Sequence, residues 1–373
     1  MGLRDDARKK LAMTKTLVND QFWNQDLRGE DFTNCALTGV GFNGSDLSGA
    51  NFTSSQIANC FFSNCNLSGV IAVSTQWHDN YFENAIFKDI DFRGAQINQA
   101  AINGAIFEGS KTSYTIFHDV KLTNAKFSGD FFSVILSNCN IDGVDAKKAN
   151  FERVAFQKCS SQAGDFSGGS LKEVSFLESN LAGVDITKSK IERVLFHTID
   201  FSNRNLTNIN VKMSQFLECD FRGSVLENAD MEGCGFLKCN LERAALNNSK
   251  LSGCNFGQAK LEGANFSGSN LKNSLWGDAD LTEVNLSNCD IEAGFFEGAR
   301  LVESDFSGSN LAYANLTSAN ATGSKIINCS LYMAKLDKLQ EDNTDWRGSN
   351  RKEAQKEDKK RIEAEDWPTG VRI

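Results

Sequence analysis

The 373-residue chain has a turn-rich and aromatic composition, with 30 glycines, 28 phenylalanines and a single proline. It has no run of about 18 apolar residues and its first residues lack an apolar core, so neither a membrane span nor a signal peptide is expected. Residues 21–346 carry 26 Lys and Arg against 39 Asp and Glu, a net charge of −13. Such a surface repels nucleic acid and anionic membranes, so we expect no direct nucleic-acid contact and no membrane insertion. With neither a membrane span nor a signal peptide expected, the expected location is the cytoplasm.

The first element, within residues 1–20, is predicted to be a helix. Over residues 3–19, Leu3, Ala7, Leu11 and Val18 recur on one face of an amphipathic pattern. Because a repetitive region follows, we expect this helix to cap its N-terminal end.

The repetitive region, residues 21–346, has a period of five. From Phe22 to Phe132, 21 of 23 fifth residues are large and apolar, and from Leu136 to Trp346 the same holds for 39 of 43. We call these residues the centres. Two residues before each centre stands a small residue in most units, and the residue directly before it is often Asp or Asn, as in Ala50-Asn51-Phe52.

A period of five matches neither a helix nor a simple alternating strand. It fits a short extended segment followed by a corner, in which the centre and the small residue two before it point to the same side. Gly, Asn, Asp and Ser at the intervening positions suit tight corners. Four such sides close a square coil of twenty residues, and successive coils stack at strand spacing.

This pattern resembles the pentapeptide-repeat family, whose consensus is Ala-Asp/Asn-Leu/Phe-X-X. The resemblance implies an all-β fold, a right-handed four-sided β-helix solenoid of about 16 coils with an N-terminal capping helix and a charged C-terminal helical tail. It covers about residues 20–346 and is specific to the fold. The twenty-residue columns support four sides independently, because one column contains an aromatic ladder: Phe156, Phe176, Phe196, Phe216, Phe236, Phe256, Trp276 and Phe296.

Two irregularities interrupt the array. The phase of the repeat slips by one residue over 132–136, which leaves one coil a residue short and predicts a local irregularity rather than a kink. The pattern decays at Glu341, recovers at Trp346 and gives way to a charged tail, residues 347–373, predicted to be helical or disordered.

The eleven cysteines all stand two residues before a centre, at the small inward position. There, Cys acts as a compact apolar residue. We therefore predict reduced core thiols and neither disulfides nor a metal site, although stacked pairs such as Cys219 and Cys239 could approach one another.

The sequence predicts no enzyme, no catalytic residue and no cofactor. The three histidines, His78, His118 and His197, each follow a centre and should point outward. His78 and His118 should lie two coils apart, about 10 Å, too far to share a proton or a ligand.

Apolar residues at outward positions are the candidate interface. Leu177, Leu217 and Leu237 follow their centres in one column, with His197 between them, and Phe61 is expected to stack beside Tyr81 one coil on. Phe131 and Phe295 are also expected to point outward. An apolar stripe of this kind is typical of an interface, although long polar neighbours could shield it.

These features predict a non-enzymatic protein–protein interaction scaffold that presents an acidic rod-like surface to a protein partner, with a homodimer as a further option. The resemblance adds two alternatives. Relatives of the Qnr and MfpA type resemble DNA in width and charge and engage DNA gyrase. Other family members are bacterial secretion-system effectors or accessory proteins, which would be exported without a classical signal peptide.

Overall fold

The computed structural model describes residues 3–355, in two compact units, Met1–Ile199 and Asp200–Ile373. Residues 356–373, and with them most of the predicted charged tail, lie outside the described residues. The single uninterrupted array over 21–346 and the count of about 16 coils stay predictions from the repeat pattern.

The N-terminal helix α1 (Asp5–Thr14) is shorter than the predicted segment 3–19. It ends because Lys15 adopts the left-handed conformation and donates its backbone N–H to Leu11. Ala7 and Leu11 are buried, as is Leu3 just before the helix. Val18 was wrongly predicted to lie on the apolar helix face, because it belongs to the first strand and is exposed.

Two ion pairs hold α1 against the first coil. The Arg8 guanidinium lies 2.7 Å from Glu30, and the Lys10 ammonium lies 3.0 Å from Asp20. The helix therefore covers the start of the coils in unit 1, as expected of a cap.

Seventeen short strands make up unit 1, most of them only three residues long. Their bounds are β1 (Thr16–Val18), β2 (Ala36–Thr38), β3 (Gln56–Ala58), β4 (Gln76–His78), β5 (Gln96–Asn98), β6 (Ile106–Phe107), β7 (Ile116–His118), β8 (Lys126–Phe132), β9 (Ile135–Ser137), β10 (Val144–Glu152), β11 (Ala155–Gln157), β12 (Gly164–Asp165), β13 (Ser170–Lys172), β14 (Ser175–Leu177), β15 (Val184–Asp185), β16 (Lys190–Glu192) and β17 (Leu195–His197).

Ten of these strands form one parallel sheet, which we call sheet 1, in the order β1-β2-β3-β4-β5-β7-β9-β11-β14-β17. Neighbouring strands pair residues twenty apart, as in Thr16 with Ala36, apart from one pairing described below. Isolated bridges repeat the same interval on the other sides, for example Gln21 with Gly41, Asp26 with Asp46 and Asp31 with Asn51. Each coil thus has four sides, as the repeat predicts.

A second group of parallel strands lies on other sides of unit 1. Strand β8 pairs with β6 and β10, and β10 pairs with both β12 and β13 along its length. Strand β12 pairs with β15, and β13 pairs with β16. Because β10 pairs with two separate strands, it continues through a corner of the coil.

Unit 2 contains β18 (Val211–Lys212), β19 (Gln215–Leu217) and a 3-10 helix, Arg351–Glu353. Elsewhere its coils are joined by single bridges at the same interval, such as Asp220 with Asn240 and Asn240 with Lys260. The fold is therefore an all-β solenoid with one α-helix in the described residues, as predicted.

The centres fill the interior of each unit. In unit 1, the rings of Phe156, Phe176 and Phe196 stack with centroids 4.8 and 5.3 Å apart. In unit 2, Phe236, Phe256 and Trp276 continue the same pattern at 4.9 and 4.3 Å. Even the small centres point inward, since Ala72, Thr112, Ala146, Ser161 and Ala321 are all buried.

Small polar residues connect one coil to the next. The Ser249 hydroxyl donates to the Leu226 carbonyl at 2.9 Å and accepts the Ala229 N–H at 3.1 Å. Thiols do the same, since Cys254 donates to the Met231 carbonyl at 3.1 Å. Each such group adds a bond between coils to backbone atoms that are already paired within their own turn, as the Ala229 N–H is with the Leu226 carbonyl at 3.2 Å.

The phase slip lies one unit earlier than predicted, between Phe127 and Phe131. Phe131 is buried against Phe127 and Phe151, with both ring centroids at 5.1 Å, so the prediction that it points outward was wrong. Its neighbour Phe132 is partly exposed instead, and the Arg153 guanidinium lies over the Phe132 ring.

A β-bulge accommodates the missing residue. Ile116 pairs with Ile135, nineteen residues on, and the register between β8 and β10 shifts between Asp145 and Lys148. The twenty-residue interval then resumes at Ile135 with Ala155. A local irregularity was predicted, and the bulge shows how the strands absorb it.

All eleven cysteines are buried, as predicted from their register, and each is a free cysteine in this structure. Burial raises the pKa of Cys60 to about 11 and that of Cys65, Cys234 and Cys289 to about 12. A raised pKa keeps the thiol protonated at neutral pH, and the protonated form is a poor nucleophile and metal ligand.

None of the described helices is both long and apolar enough to cross a membrane.

Replacing Phe216 by Ala should destabilise the protein by about 3–5 kcal/mol, because a buried ring is removed and a cavity remains. Phe216 stacks on Phe236 with ring centroids 5.1 Å apart. Thermal unfolding followed by circular dichroism measures the effect. The matched control is Leu217→Ala, next to it but outward, which should cost about 1 kcal/mol or less. Equal losses in the two variants would contradict the inward assignment.

The native protein should react slowly with a thiol reagent at pH 8, since the cysteines are buried and burial keeps thiols such as those of Cys60 and Cys65 protonated. Reaction in urea reports all eleven thiols and serves as the reference. Reductant and EDTA should leave the circular dichroism spectrum unchanged. Rapid labelling of most thiols in the native protein, or unfolding by EDTA, would refute the interpretation of the cysteines as core residues.

Candidate interaction surface

Leu177 and His197, the part of the predicted column that lies in unit 1, are neighbours in sheet 1. They pair across β14 and β17, each following a buried phenylalanine. Both side chains point outward and are half-buried. The predicted outward orientation is therefore confirmed, but both side chains are partly covered by their neighbours.

Leu217 and Leu237, the part of the column in unit 2, differ in exposure. Leu217 is half-buried, whereas 36% of Leu237 is exposed. The Glu218 N–H bonds to the Leu237 carbonyl, which places the two leucines on consecutive coils. One coil further on, Gly257 follows the centre Phe256, and Leu237 lies beside its side-chain-free backbone.

Leu275 on the same side was missed by the sequence analysis. It pairs with Phe295 on the next coil, and both precede buried aromatic centres. Leu275 is 45% and Phe295 37% exposed, so the outward prediction for Phe295 is confirmed. Leu275 alone does not stand out in the sequence. A comparison of the residues that precede the centres, at intervals of twenty residues, would have shown its pairing with Phe295.

Phe61 and Tyr81 form a stacked aromatic pair on the surface of unit 1, as predicted. Their ring centroids lie 5.3 Å apart with an interplanar angle of 9°. Phe61 is 39% and Tyr81 49% exposed. The column continues to Gly41 on one side and Ala101 on the other. Because these neighbours are small, the two rings project beyond them.

The histidines point outward from sheet 1, and β5 separates His78 on β4 from His118 on β7. His78 Nε2 lies 3.1 Å from an oxygen of Asp79, and His118 Nε2 lies 3.3 Å from one of Asp119. Over residues 3–355, no group of three or more His, Cys, Asp and Glu side chains has the geometry of a metal site.

Charged residues on the other sides are often paired locally. Asp91 and Arg93 flank the centre Phe92, and their side chains lie 2.7 Å apart. The hydrogen bond from Arg93 lowers the pKa of Asp91. The pair Asp26 and Arg28 flanks Leu27 in the same way, also at 2.7 Å. Such pairs neutralise part of the acidic surface without contributing much stability.

The chain matches two family models for pentapeptide repeats. The model described as a pentapeptide repeat region matches residues 115–186, 189–266 and 229–306. The model described as pentapeptide repeats in eight copies matches residues 21–53, 31–69, 45–76, 90–129, 296–328 and 304–338. No curated protein matches the chain.

Solved structures of repeat proteins are similar to parts of this chain. Rfr23, from the cyanobacterium Cyanothece 51142, is 29% identical over 27% of this chain and 63% of its own, with a TM-score of 0.18. The match therefore spans less than two thirds of Rfr23. HetL, a protein involved in heterocyst differentiation regulation from Nostoc sp. strain PCC 7120, is 17% identical over 86% of this chain and 96% of its own, with a TM-score of 0.23.

Trypsin-treated QnrB1, a plasmid-mediated fluoroquinolone resistance protein, is 20% identical over 43% of this chain and 82% of its own, with a TM-score of 0.26. The two repeat models together match more than half of this chain. It therefore belongs to the pentapeptide-repeat family.

Proposed function

We propose that the protein is a non-enzymatic interaction scaffold that binds a protein partner through its outward faces. The observation that carries the proposal is the set of large apolar side chains exposed in columns, Phe61 with Tyr81 in unit 1 and Leu237, Leu275 and Phe295 in unit 2. The fold needs only the inward residues, so nothing in the repeat calls for these outward ones. Exposed apolar residues that cluster in this way are typical of binding surfaces.

The unit 2 surface has the composition expected of an interface centre. Leu237, Leu275 and Phe295 supply apolar area, while Gly257 and Gly277 at neighbouring outward positions are half-buried and carry no side chain that would shield them. Aromatic residues are enriched at protein interfaces, and the fully buried centre of an interface is depleted of charged residues.

DNA mimicry receives less support from the charge distribution. A mimic of the duplex needs carboxylates arranged along its surface as phosphates are along DNA. No strand of sheet 1 contains Asp or Glu, and Asp26 and Asp91 are each paired with an arginine two residues on. The apolar columns therefore favour a protein partner bound through apolar contact. We also propose a cytoplasmic location, where eleven free thiols stay reduced.

Replacing both Leu217 and Leu237 by Lys should leave the fold intact and weaken partner binding at least tenfold, because neither side chain points into the core. An affinity pull-down from a lysate of the native host, with bound proteins quantified by mass spectrometry, gives the readout. The double variant of Phe61 and Tyr81 to Lys tests the unit 1 surface in the same way.

The matched control is Asn247→Lys with Ser267→Lys. These residues also follow buried centres and are half-buried, but they lie on a different side of unit 2. The control should retain every partner. If both apolar double variants fold and retain the same partners as the wild type, the proposed binding surfaces are wrong.

A further inference from the structure

Sheet 1 of unit 1 lacks charged residues altogether. None of its ten strands contains Asp, Glu, Lys or Arg. The middle residue of each strand is a buried centre, which leaves twenty outward positions, the first and third residue of every strand. With 23% charged residues in the chain, chance composition would place between four and five charges among twenty positions.

The other strands of unit 1 show that the fold itself does not exclude charge. Strand β10 contains Asp145, Lys147, Lys148 and Glu152, and β16 reads Lys190-Ile191-Glu192. The same repeat thus carries charges on its other sides and none on sheet 1. Solubility favours charged outward positions, so their absence from one whole side indicates that this side has another role.

The outward positions of sheet 1 are suited to contact with another flat surface. Gln56, Gln76 and Gln96 are exposed on consecutive strands, and Ile135 is exposed further along the sheet. Amide groups can exchange hydrogen bonds with similar groups, and the isoleucine supplies apolar area. The strand interval of about 4.8 Å makes the face regular, as in sheets that stack face to face about 10 Å apart.

A face without charge is able to pack on its own copy. In a twofold dimer the same patch meets itself, so any net charge on it would be brought against like charge. This repulsion between like charges would oppose dimerisation through a charged side of the coil, but not through sheet 1. The histidines His78 and His118 each lie beside an aspartate at the sheet border.

The size of the face fits a weak dimer. Ten strands at about 4.8 Å give a length of about 43 Å, and a three-residue strand with its side chains is about 12 Å wide. Each copy would then bury about 500 Å², and the pair about 1,000 Å², which is the lower limit for a specific interface.

We propose that two copies of this chain associate sheet on sheet through sheet 1 of unit 1, as a weak and reversible homodimer. The inference rests on the proposed role as an interaction scaffold and adds a second copy of the chain as one partner. The surfaces tested for the other partner, Phe61 with Tyr81 in unit 1 and Leu217 with Leu237 in unit 2, use residues outside the ten strands of sheet 1.

Sedimentation velocity of the full chain at pH 7.5 tests the proposal. The wild type should show a sedimentation coefficient that rises with concentration over a range of about 1–100 μM, as expected for an interface of this size. A variant with Gln76, Ile116 and Ala155 all replaced by Lys should dimerise at least tenfold more weakly. A second variant with Glu at the same positions should behave alike.

Mixing the two variants gives the decisive measurement. If the faces meet, Lys on one copy lies near Glu on the other, so the mixture should dimerise more strongly than either variant alone. The matched control places Lys at Ser63, Thr123 and Ser160, outward residues on the adjacent side of unit 1, and should dimerise like the wild type. Circular dichroism verifies that each variant folds. If a triple variant does not fold, the single variant Ile116→Lys replaces it.

A wild type that stays monomeric across this range would overturn the inference, and so would a Lys variant that dimerises normally or a mixture that stays monomeric. A monomeric wild type would leave the pull-down test of the proposed function unaffected. Loss of partner binding without loss of dimerisation, or the reverse, separates the two proposals.

Discussion

Backbone hydrogen bonds between one coil and the next are the interaction on which the rest of the structure depends. Phe22 donates to Gly41 at 2.7 Å, and Gly41 in turn donates to Asp20 at 3.0 Å. Because each bond joins residues about twenty apart, every coil repeats the position of the one before it. Like side chains therefore stack on like, which makes a core of aromatic and aliphatic columns and an outer surface of equally regular columns.

The sequence was sufficient to predict which residues face the core. A period of five with large apolar centres predicts that the centres form the core, since the burial of large apolar side chains is favourable. The phase slip was placed too late because Phe131 and Phe132 are both aromatic and equally suited to the core. Only the structure, in which Phe131 packs between Phe127 and Phe151, separates them. Val18 was misplaced because the helix ends at Thr14, where the backbone of Lys15 turns left-handed.

The candidate surface was less accessible to sequence reasoning. Alternation predicts that Leu177, Leu217 and Leu237 point outward, but exposure also depends on the neighbouring side chains. Leu217 is half-buried while Leu237 is exposed beside Gly257, a difference that no local pattern contains. Leu275 was missed for a related reason, because its significance comes from Phe295 on the adjacent coil. Partner identity depends on a second molecule, so it lies beyond any pattern within this chain.

The bond from the small inward residue to the preceding coil determines which substitutions the inward position tolerates. Ser269 and Cys289 make the same contact, donating to Leu246 at 2.7 Å and to Phe266 at 3.0 Å. A hydroxyl and a thiol are thus interchangeable there, because the carbonyl that accepts the proton is already in place. Nine of the cysteines make this bond to the preceding coil, so in those positions the thiol is one of two alternative solutions to the same packing requirement. A cysteine-free version with serine throughout the inward positions would retain the coil geometry, and a single thiol could then be returned to any outward position for labelling.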